Sequence, residues 1–189
     1  MTHPFIRTLQ EKLLNPPPQP NVPLGYRPAA VLLCLYEHNG RFHLLYTRRT
    51  DHLPTHKGQV AFPGGKLEPR DVDIVAAARR EAWEEVGILP EDVTVLGCME
   101  PIETPYGRFV VTPVVSVIPW PYPLKLNHSE VAVTFGPSLA WLLAPSNLDT
   151  ESQYTAYLPY EGEIIWGLTG GMTARFLDLV RESVLEEIK

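Results

Sequence analysis

Residues 64–88 constrain this chain more than any other segment. The segment opens with two adjacent glycines, which permit backbone conformations closed to other residues, and continues into an Ala- and Glu-rich stretch. Asp73 precedes that stretch and Gly87 follows it, and these residue types are favoured at the N-cap and just past the C-terminus of a helix. The pattern predicts a glycine loop followed by a helix over residues 74–86.

Three glutamates near the end of this helix are spaced to share one face. Glu81, Glu84 and Glu85 stand at positions i, i+3 and i+4, which are neighbours on a helix surface. Such like charges repel each other unless a divalent cation lies between them, and Mg²⁺ or Mn²⁺ binds carboxylates together with substrate phosphates. Arg80 can pair with Glu84 or orient a neighbouring carboxylate. An acidic helix face is more often simply solvated, but the preceding glycines and the alanine-rich opposite face favour a metal site.

Charge and hydropathy exclude several other classes of protein. The chain has 16 Lys and Arg against 22 Asp and Glu, a formal net charge of −6, whereas a duplex nucleic-acid binder needs a basic surface. The longest apolar run, residues 29–36, is far shorter than the roughly 20 residues that span a bilayer. The first residues lack the pattern of a secretory signal. We expect a cytoplasmic protein with a small-molecule substrate and no membrane partner; no pattern indicates an oligomeric state.

The remaining segments predict a mixed α/β domain. We expect an N-terminal helical arm and proline-rich linker over residues 1–26, followed by one domain over residues 27–189. Hydrophobic periodicity and turn residues predict the elements. These are a helix at 5–14, a hairpin at 29–47, a strand at 59–62, a second hairpin at 93–118 with its turn at 104–107, a strand at 130–135, a short helix at 138–143, a last strand at 157–165 and an amphipathic helix at 172–188.

The chain resembles a known family in the segment described first. The run from Gly65 through Arg80-Glu81 to Glu84-Glu85 resembles the Nudix box, the signature of enzymes that hydrolyse nucleoside diphosphates linked to another moiety. The interval from Gly65 to Arg80 is one residue longer than in the commonest box, as is typical of the coenzyme A pyrophosphatase branch. Three flanking segments are similar to that branch or to the family: residues 44–50, 58–65 and 165–169. The resemblance implies an α/β/α sandwich with a mixed β-sheet.

The resemblance also implies a site and a reaction. It places Mg²⁺ or Mn²⁺ on Glu81, Glu84 and Glu85, with the Gly65 carbonyl as a further ligand, where the metal would assist attack of water on a diphosphate. Either Glu130 or Glu81 would be the general base. The expected products from coenzyme A are 3′-phosphoadenosine 5′-phosphate and 4′-phosphopantetheine. Substrate contacts are expected from Arg48, Arg49, Lys57, Gly64 and Lys66, although Arg48 and Arg49 alternate on a strand and at most one of them faces the site.

One position departs from the coenzyme A branch. Pro54 stands where that branch usually has an arginine, which leaves recognition of the 3′-phosphate open, with His56, Lys57, Arg48 or Arg49 as substitutes. A Nudix hydrolase of another substrate, such as ADP-ribose, a dinucleotide or a nucleoside triphosphate, is therefore an alternative. A ligand-binding Nudix domain without turnover is a second alternative, against which the intact glutamates count.

Overall fold

A computed structural model describes residues 3–19, 21–104 and 107–187 of the chain, with side chains up to residue 184. The strands are Arg27–His38 (β1), Arg41–Leu44 (β2), Tyr46–Arg49 (β3), Val60–Ala61 (β4), Gly64–Lys66 (β5), Thr94–Cys98 (β6), Ile102–Glu103 (β7), Phe109–Val117 (β8) and Val131–Phe135 (β9). The α-helices are Pro4–Lys12 (α1), Ile74–Val86 (α2), Leu139–Leu143 (α3) and Gly167–Glu187 (α4). Pro90–Asp92 and Pro145–Asn147 form short 3₁₀ helices.

The strands form two sheets. The larger sheet has the order β2-β1-β8-β6, and β5 and β7 pair additionally with β1 and β8. Its β1 and β8 are parallel, from Arg27 opposite Phe109 to Leu35 opposite Val117, while the other pairs are antiparallel. The smaller sheet, β4-β3-β9, is antiparallel. The larger sheet is therefore mixed, as predicted.

Helices cover both faces of the larger sheet. On one face α2 buries its apolar side against β1 and β8, in a cluster that includes Ala77, Ala82 and Val86 together with Leu32 and Val114. On the other face α1, α3, α4 and the smaller sheet share a second cluster. This layering confirms the predicted α/β/α architecture. None of the described helices is long and apolar enough to cross a membrane.

The N-terminal helix contributes to the core of the domain. It begins at Pro4 and ends at Lys12, close to the predicted bounds, and its Phe5 and Leu9 are buried in the same cluster as α4. After it, Leu14 exchanges two backbone hydrogen bonds with Cys98 of β6, at 2.8 and 3.0 Å. The helical arm therefore packs directly on the sheet and on α4.

Both predicted hairpins are present, and the first divides. Its first half is β1 and β2, but after Leu45 the chain leaves the larger sheet and β3 joins the smaller one. Leu45 is buried in the cluster beneath α2, whereas Tyr46 stacks on Phe62 and Phe135 in the other cluster. The hairpin therefore ends at Leu44, and from Tyr46 onward the chain pairs in the smaller sheet instead of continuing along β1. In the second hairpin, β6 and β7 pair with β8, and the predicted turn residues Pro105 and Tyr106 lie outside the described residues.

The end of the chain differs from the prediction in two respects. The prediction of a strand at residues 157–165 is wrong. This segment makes only isolated β-bridges, and a tight turn with positive φ at Glu161 (53°) and Gly162 (87°) interrupts it. The last helix begins at Gly167, earlier than expected, and its predicted last residue, Ile188, lies outside the described residues. The strand at 130–135 and the short helix at 138–143 are confirmed as β9 and α3.

Candidate active site

Helix α2 carries the glutamates, and its ends are fixed as predicted. The Asp73 carboxylate accepts a hydrogen bond of 2.7 Å from the backbone N–H of Ala76, which satisfies one of the free donors at the helix start. Gly87 adopts a left-handed conformation, φ 74°, at the other end. The helix is therefore stopped two residues after Glu85, and this fixes the position of the acidic face.

The two adjacent glycines lie in a strand, which corrects the predicted loop. Gly64 and Gly65 belong to β5 and pair with Val31 and Ala30 of β1, and neither has a positive φ. A Cβ on Gly64 would lie 2.7 Å from the Val31 Cα, and a Cβ on Gly65 would lie 2.7 Å from the Glu81 Oε2. Close packing against the backbone of β1 therefore requires glycine at residue 64, whereas a side chain at residue 65 would displace the Glu81 carboxylate.

Glu85 is the most buried carboxylate of the site, with 3% of the residue exposed. Its Oε2 accepts a 3.3 Å hydrogen bond from the Gly64 N–H, and its Oε1 lies 3.7 Å from Nη1 of Arg49. Burial raises the pKa of this carboxyl to about 8; Arg49 opposes the shift, and the negative charges of Glu81 and Glu130 increase it. The Arg49 guanidinium and the Gly64 hydrogen bond therefore do not fully offset the free-energy cost of burying the negative charge of Glu85.

Arg80 organises the other two glutamates. Its Nη1 donates hydrogen bonds to Oε1 of Glu81 at 2.8 Å and to Oε2 of Glu84 at 3.0 Å. Its Nε and Nη2 bind both carboxylate oxygens of Asp71, at 2.9 and 3.0 Å, and Nη2 also binds the Lys66 carbonyl at 3.0 Å. The Asp71 side chain is only 4% exposed, and its hydrogen bonds from Arg80 lower its pKa. Asp71 and Arg80 thus form a largely buried brace between β5 and α2.

The three glutamates contact three arginines. Glu81 binds Arg80, and Glu84 binds both Arg80 and Arg70, the latter at 2.9 Å. Glu85 contacts Arg49 and Gly64. In this arrangement no three His, Cys, Asp or Glu side chains of the described residues are placed to hold a metal ion. The donor set nevertheless fits a hard divalent cation, because it consists of carboxylate oxygens. Burial also raises the pKa of Glu81. A nearby positive charge would therefore stabilise the ionised forms of both Glu81 and Glu85.

Glu130 lies beside the acidic face, at the start of β9. Its backbone carbonyl accepts a 2.9 Å hydrogen bond from the Thr50 N–H, and the Asn127 side chain donates to its Oε1 at 3.4 Å. The Asn127 N–H in turn donates to the backbone carbonyl of Glu85 at 2.9 Å. Asn127 therefore links Glu130 to the end of α2, and the negative charge of Glu130 contributes to the raised pKa values of Glu81 and Glu85.

The residues predicted to contact substrate lie in different places. Arg49 faces Glu85, and its buried Nε has no hydrogen-bond partner among the described atoms. Arg48 instead pairs with Glu163 at 3.0 Å and with Asp51 at 3.5 Å. Lys57 is exposed on the loop between β3 and β4, and Lys66 is exposed at the end of β5. The structure therefore brings Arg49, Gly64, Gly65 and Glu130 to the acidic face and leaves Arg48 and Lys57 outside these contacts.

Sequence reasoning missed Asp71, which joins the candidate site through its two hydrogen bonds from Arg80. It lies nine residues before Arg80, in the segment between β5 and α2, and no periodicity connects the two. The sequence offered only an indirect signal. An arginine next to three glutamates on a helix that packs against a sheet is expected to be partly buried. A buried guanidinium needs a hydrogen-bond acceptor for each of its N–H donors. Asp71 is one of several acidic residues near the helix start that could meet this need.

Comparison with known proteins agrees with this geometry. The family model of the NUDIX domain matches the sequence of this chain over residues 25–135. The uncharacterized Nudix hydrolase NudL of Shigella flexneri serotype 5b is 39% identical over 159 residues, which cover 79% of this chain and 81% of NudL. The chain therefore belongs to the Nudix family.

Solved structures share the fold. A MutT protein from Methanosarcina mazei Go1 superposes with a TM-score of 0.56 at 23% identity, covering 87% of this chain and 99% of that chain. The NUDIX domain of Shewanella oneidensis NrtR, solved with ADP ribose, gives a TM-score of 0.52 at 15% identity, covering 88% and 94% of the two chains. At these identities the likeness concerns the fold alone.

Proposed function

We propose that this protein is a metal-dependent pyrophosphohydrolase that cleaves the diphosphate of coenzyme A or its derivatives. The observation that carries the proposal is the environment of Glu85. A carboxylate that is 3% exposed, with Glu81 and Glu130 close by, is costly in its charged form. Such perturbed carboxylates concentrate at functional sites, and a cation bound by oxygen ligands would offset the cost.

The metal ligands would be Glu81, Glu84 and Glu85, joined by the Gly65 carbonyl. All three side chains leave the same face of α2, and Gly65 lies against the Glu81 carboxylate. Bound Mg²⁺ or Mn²⁺ would supply charge neutralisation of the diphosphate and a lowered pKa of the attacking water.

The other residues of the chain have separate tasks. Arg80 and Asp71 hold the glutamate-bearing turn of α2 at a fixed distance from β5, because Arg80 bonds to residues on both sides of this contact. Arg49 places a guanidinium beside Glu85, where it can bind a phosphate oxygen. Glu130, held by the Thr50 and Asn127 hydrogen bonds, accepts the proton of the attacking water, with Glu81 as the alternative base.

Coenzyme A is favoured as substrate by the motif spacing. The interval between Gly65 and Arg80 and the segment before Gly64 are both similar to the coenzyme A branch. The 39% identity to NudL is consistent with this assignment, although NudL itself is described as uncharacterized. Cleavage would give 3′-phosphoadenosine 5′-phosphate and 4′-phosphopantetheine.

Pro54 favours a second candidate, a Nudix hydrolase of ADP-ribose, a dinucleotide or a nucleoside triphosphate. Pro54 is exposed on the loop between β3 and β4, where it offers no cation to a 3′-phosphate. The NrtR domain of the same fold holds ADP ribose, so this fold accommodates a nucleoside diphosphate that lacks this phosphate.

A substrate panel tests the proposal. Purified protein is incubated with Mg²⁺ or Mn²⁺ and with coenzyme A, dephospho-coenzyme A, ADP-ribose, NADH, a dinucleoside polyphosphate or a dNTP, and products are identified by mass. We expect the highest kcat/KM with coenzyme A. Cleavage of another member alone would retain the site and reject coenzyme A, and no cleavage of any member would favour a ligand-binding domain without turnover. A Glu85→Gln variant, expected to be slower by orders of magnitude, ties any cleavage to this site, with Glu182→Gln on the exposed side of α4 as the matched control.

A further inference from the structure

Two cations meet beside one aromatic ring at the edge of the larger sheet. The Arg27 Cζ lies 4.5 Å from the centre of the Phe109 ring, and the Lys66 Nζ lies 6.0 Å from it. The strand register explains this meeting: Arg27 is opposite Phe109, and Lys66 is opposite Ala29, two residues along β1. Residues two apart on a strand share a face, and diagonal neighbours stand about 7–8 Å apart. The three side chains therefore occupy one patch of surface.

No carboxylate in the described part of the chain pairs with either cation. Among the described residues no ion pair involves Arg27 or Lys66, and both residues are exposed. Glu68, the next acidic residue along the chain, is bound by Arg70 at 2.8 Å. Two like charges held together repel each other, and an anion between them replaces this repulsion by two attractions. The patch therefore favours binding of an anionic ligand, although the chain as a whole has a net charge of −6.

The patch is joined to the candidate active site through one short strand. Lys66 follows Gly65, which lies against the Glu81 carboxylate, and the Lys66 carbonyl accepts the 3.0 Å hydrogen bond from Arg80. Gly65 and Lys66 point to opposite faces of β5. In the described part of the chain β5 pairs with β1 alone, and its other edge is bonded to α2: the Gly64 N–H donates to Glu85, and the Lys66 carbonyl accepts from Arg80. A ligand that binds both at Glu81 and at the Lys66 side chain would therefore span the width of this one strand.

We propose that Arg27 and Lys66 form a second anion subsite, which binds a phosphate monoester of the same substrate whose diphosphate lies at Glu81 and Glu85. The inference rests on the proposed function and specifies its substrate class: a nucleoside diphosphate derivative with an additional phosphate group. Phe109 holds the two cations in place through its ring face. Arginine and lysine are both suited to a phosphate monoester.

Other cations near the site are less suited to this role. Arg48 is bound by Glu163 and Asp51, and Arg49 faces Glu85. Lys57 is the rival, because it is exposed on the loop between β3 and β4 and forms no ion pair within the described residues. A Lys57→Ala variant therefore separates the two locations.

Equilibrium binding tests the subsite without turnover. Isothermal titration calorimetry with Mg²⁺ compares 3′-phosphoadenosine 5′-phosphate with AMP, which differ by one phosphate monoester. We expect the wild type to prefer the bisphosphate, and Arg27→Ala and Lys66→Ala each to weaken its binding by about tenfold or more while AMP binding stays within about twofold. The double variant should lose the preference, whereas Lys57→Ala and Arg7→Ala, an exposed arginine on α1, should retain it. The proposal is overturned if the wild type binds 3′-phosphoadenosine 5′-phosphate no more tightly than AMP, or if the double variant keeps this preference. Loss of the preference in Lys57→Ala also overturns it.

Kinetics separates this inference from the proposed function. The ratio of kcat/KM for coenzyme A to that for dephospho-coenzyme A should fall in the double variant because only coenzyme A carries the monoester. Hydrolysis of both compounds with an unchanged ratio overturns the subsite and leaves the pyrophosphohydrolase intact. Hydrolysis of neither compound by the wild type overturns the proposed substrate, and the calorimetric preference then decides the subsite independently. Both substituted side chains are exposed, so the fold is expected to persist, which circular dichroism verifies.

Discussion

The backbone of Gly65 lies directly against the carboxylate of Glu81, and a methyl group added at Gly65 would sit 2.7 Å from Oε2 of that carboxylate. The contact joins β5 to α2 at the acidic face. Since Gly65 has no positive φ, its need for glycine comes from this contact and not from the backbone conformation. The position of the Glu81 side chain therefore depends on the absence of a side chain at residue 65.

Gly65→Ala is expected to lower kcat at least tenfold, because its methyl group displaces the Glu81 carboxylate while the backbone remains allowed. Misplacement of a catalytic group by about an ångström can cost this much. Steady-state kinetics measures the effect. Gly171→Ala on α4 is the matched control, since a Cβ there meets nothing within 4 Å. Unchanged kcat in Gly65→Ala would show that the position of Glu81 is not critical.

Asp71→Asn should lower both stability and activity. The substitution removes the charge from the partner that binds Arg80 through two hydrogen bonds, and we expect a loss of about 1–3 kcal/mol in the free energy of unfolding. Urea denaturation measures it. Asp178→Asn, whose side chain is 71% exposed and pairs with Arg181 at 3.5 Å, should change stability by less than about 0.5 kcal/mol. Equal effects of the two substitutions would contradict the bracing role of Asp71.

Metal-free protein should become less stable as pH rises from 5 to 8. Burial raises the pKa of Glu85 from 4.5 to about 8, so between these values the native state holds a proton that the unfolded state has released. Stability then falls with pH, by at most about 1.4 kcal/mol per pH unit for one group. Urea denaturation in EDTA measures the slope for the wild type and for Glu85→Gln, in which it should be smaller. Parallel curves for the two proteins would refute this effect of Glu85.

Glu130→Gln distinguishes the two candidate bases. If Glu130 accepts the proton of the attacking water, the variant should lose about 10²–10⁴-fold in kcat with little change in KM. Glu100→Gln, at an exposed loop position, is the control. A loss of less than threefold in kcat would transfer the role of base to Glu81.

The sequence predicted most clearly what depends on local signals. Helix α2 was predictable because Asp73 caps its start and Gly87 ends it, and both signals lie within the segment itself. The shared face of Glu81, Glu84 and Glu85 follows from helical spacing alone. The pairing of Arg80 with Glu84 also follows from their spacing. The contact between Arg49 and Glu85 was not predictable, because Arg49 reaches Glu85 only through the packing of the smaller sheet.

Long-range pairing accounts for the elements that were missed. The strand at Gly64–Lys66 exists because β1 offers it a free edge, and no pattern within three residues reveals such a partner. The strand expected at residues 157–165 fails for the complementary reason. Its β-branched and aromatic residues favour extended structure, but the turn at Glu161 and Gly162 folds the segment on itself before a neighbouring strand can pair with it.

The most direct test of the central claim is hydrolysis of coenzyme A in ¹⁸O-labelled water, with Mn²⁺ or with EDTA, followed by mass spectrometry of the products. We predict that Mn²⁺ yields 3′-phosphoadenosine 5′-phosphate and 4′-phosphopantetheine, with one ¹⁸O in one of the two products, and that EDTA abolishes the reaction. Products that retain the diphosphate, cleavage that persists in EDTA, or no cleavage with metal would contradict a metal-dependent attack of water on this bond.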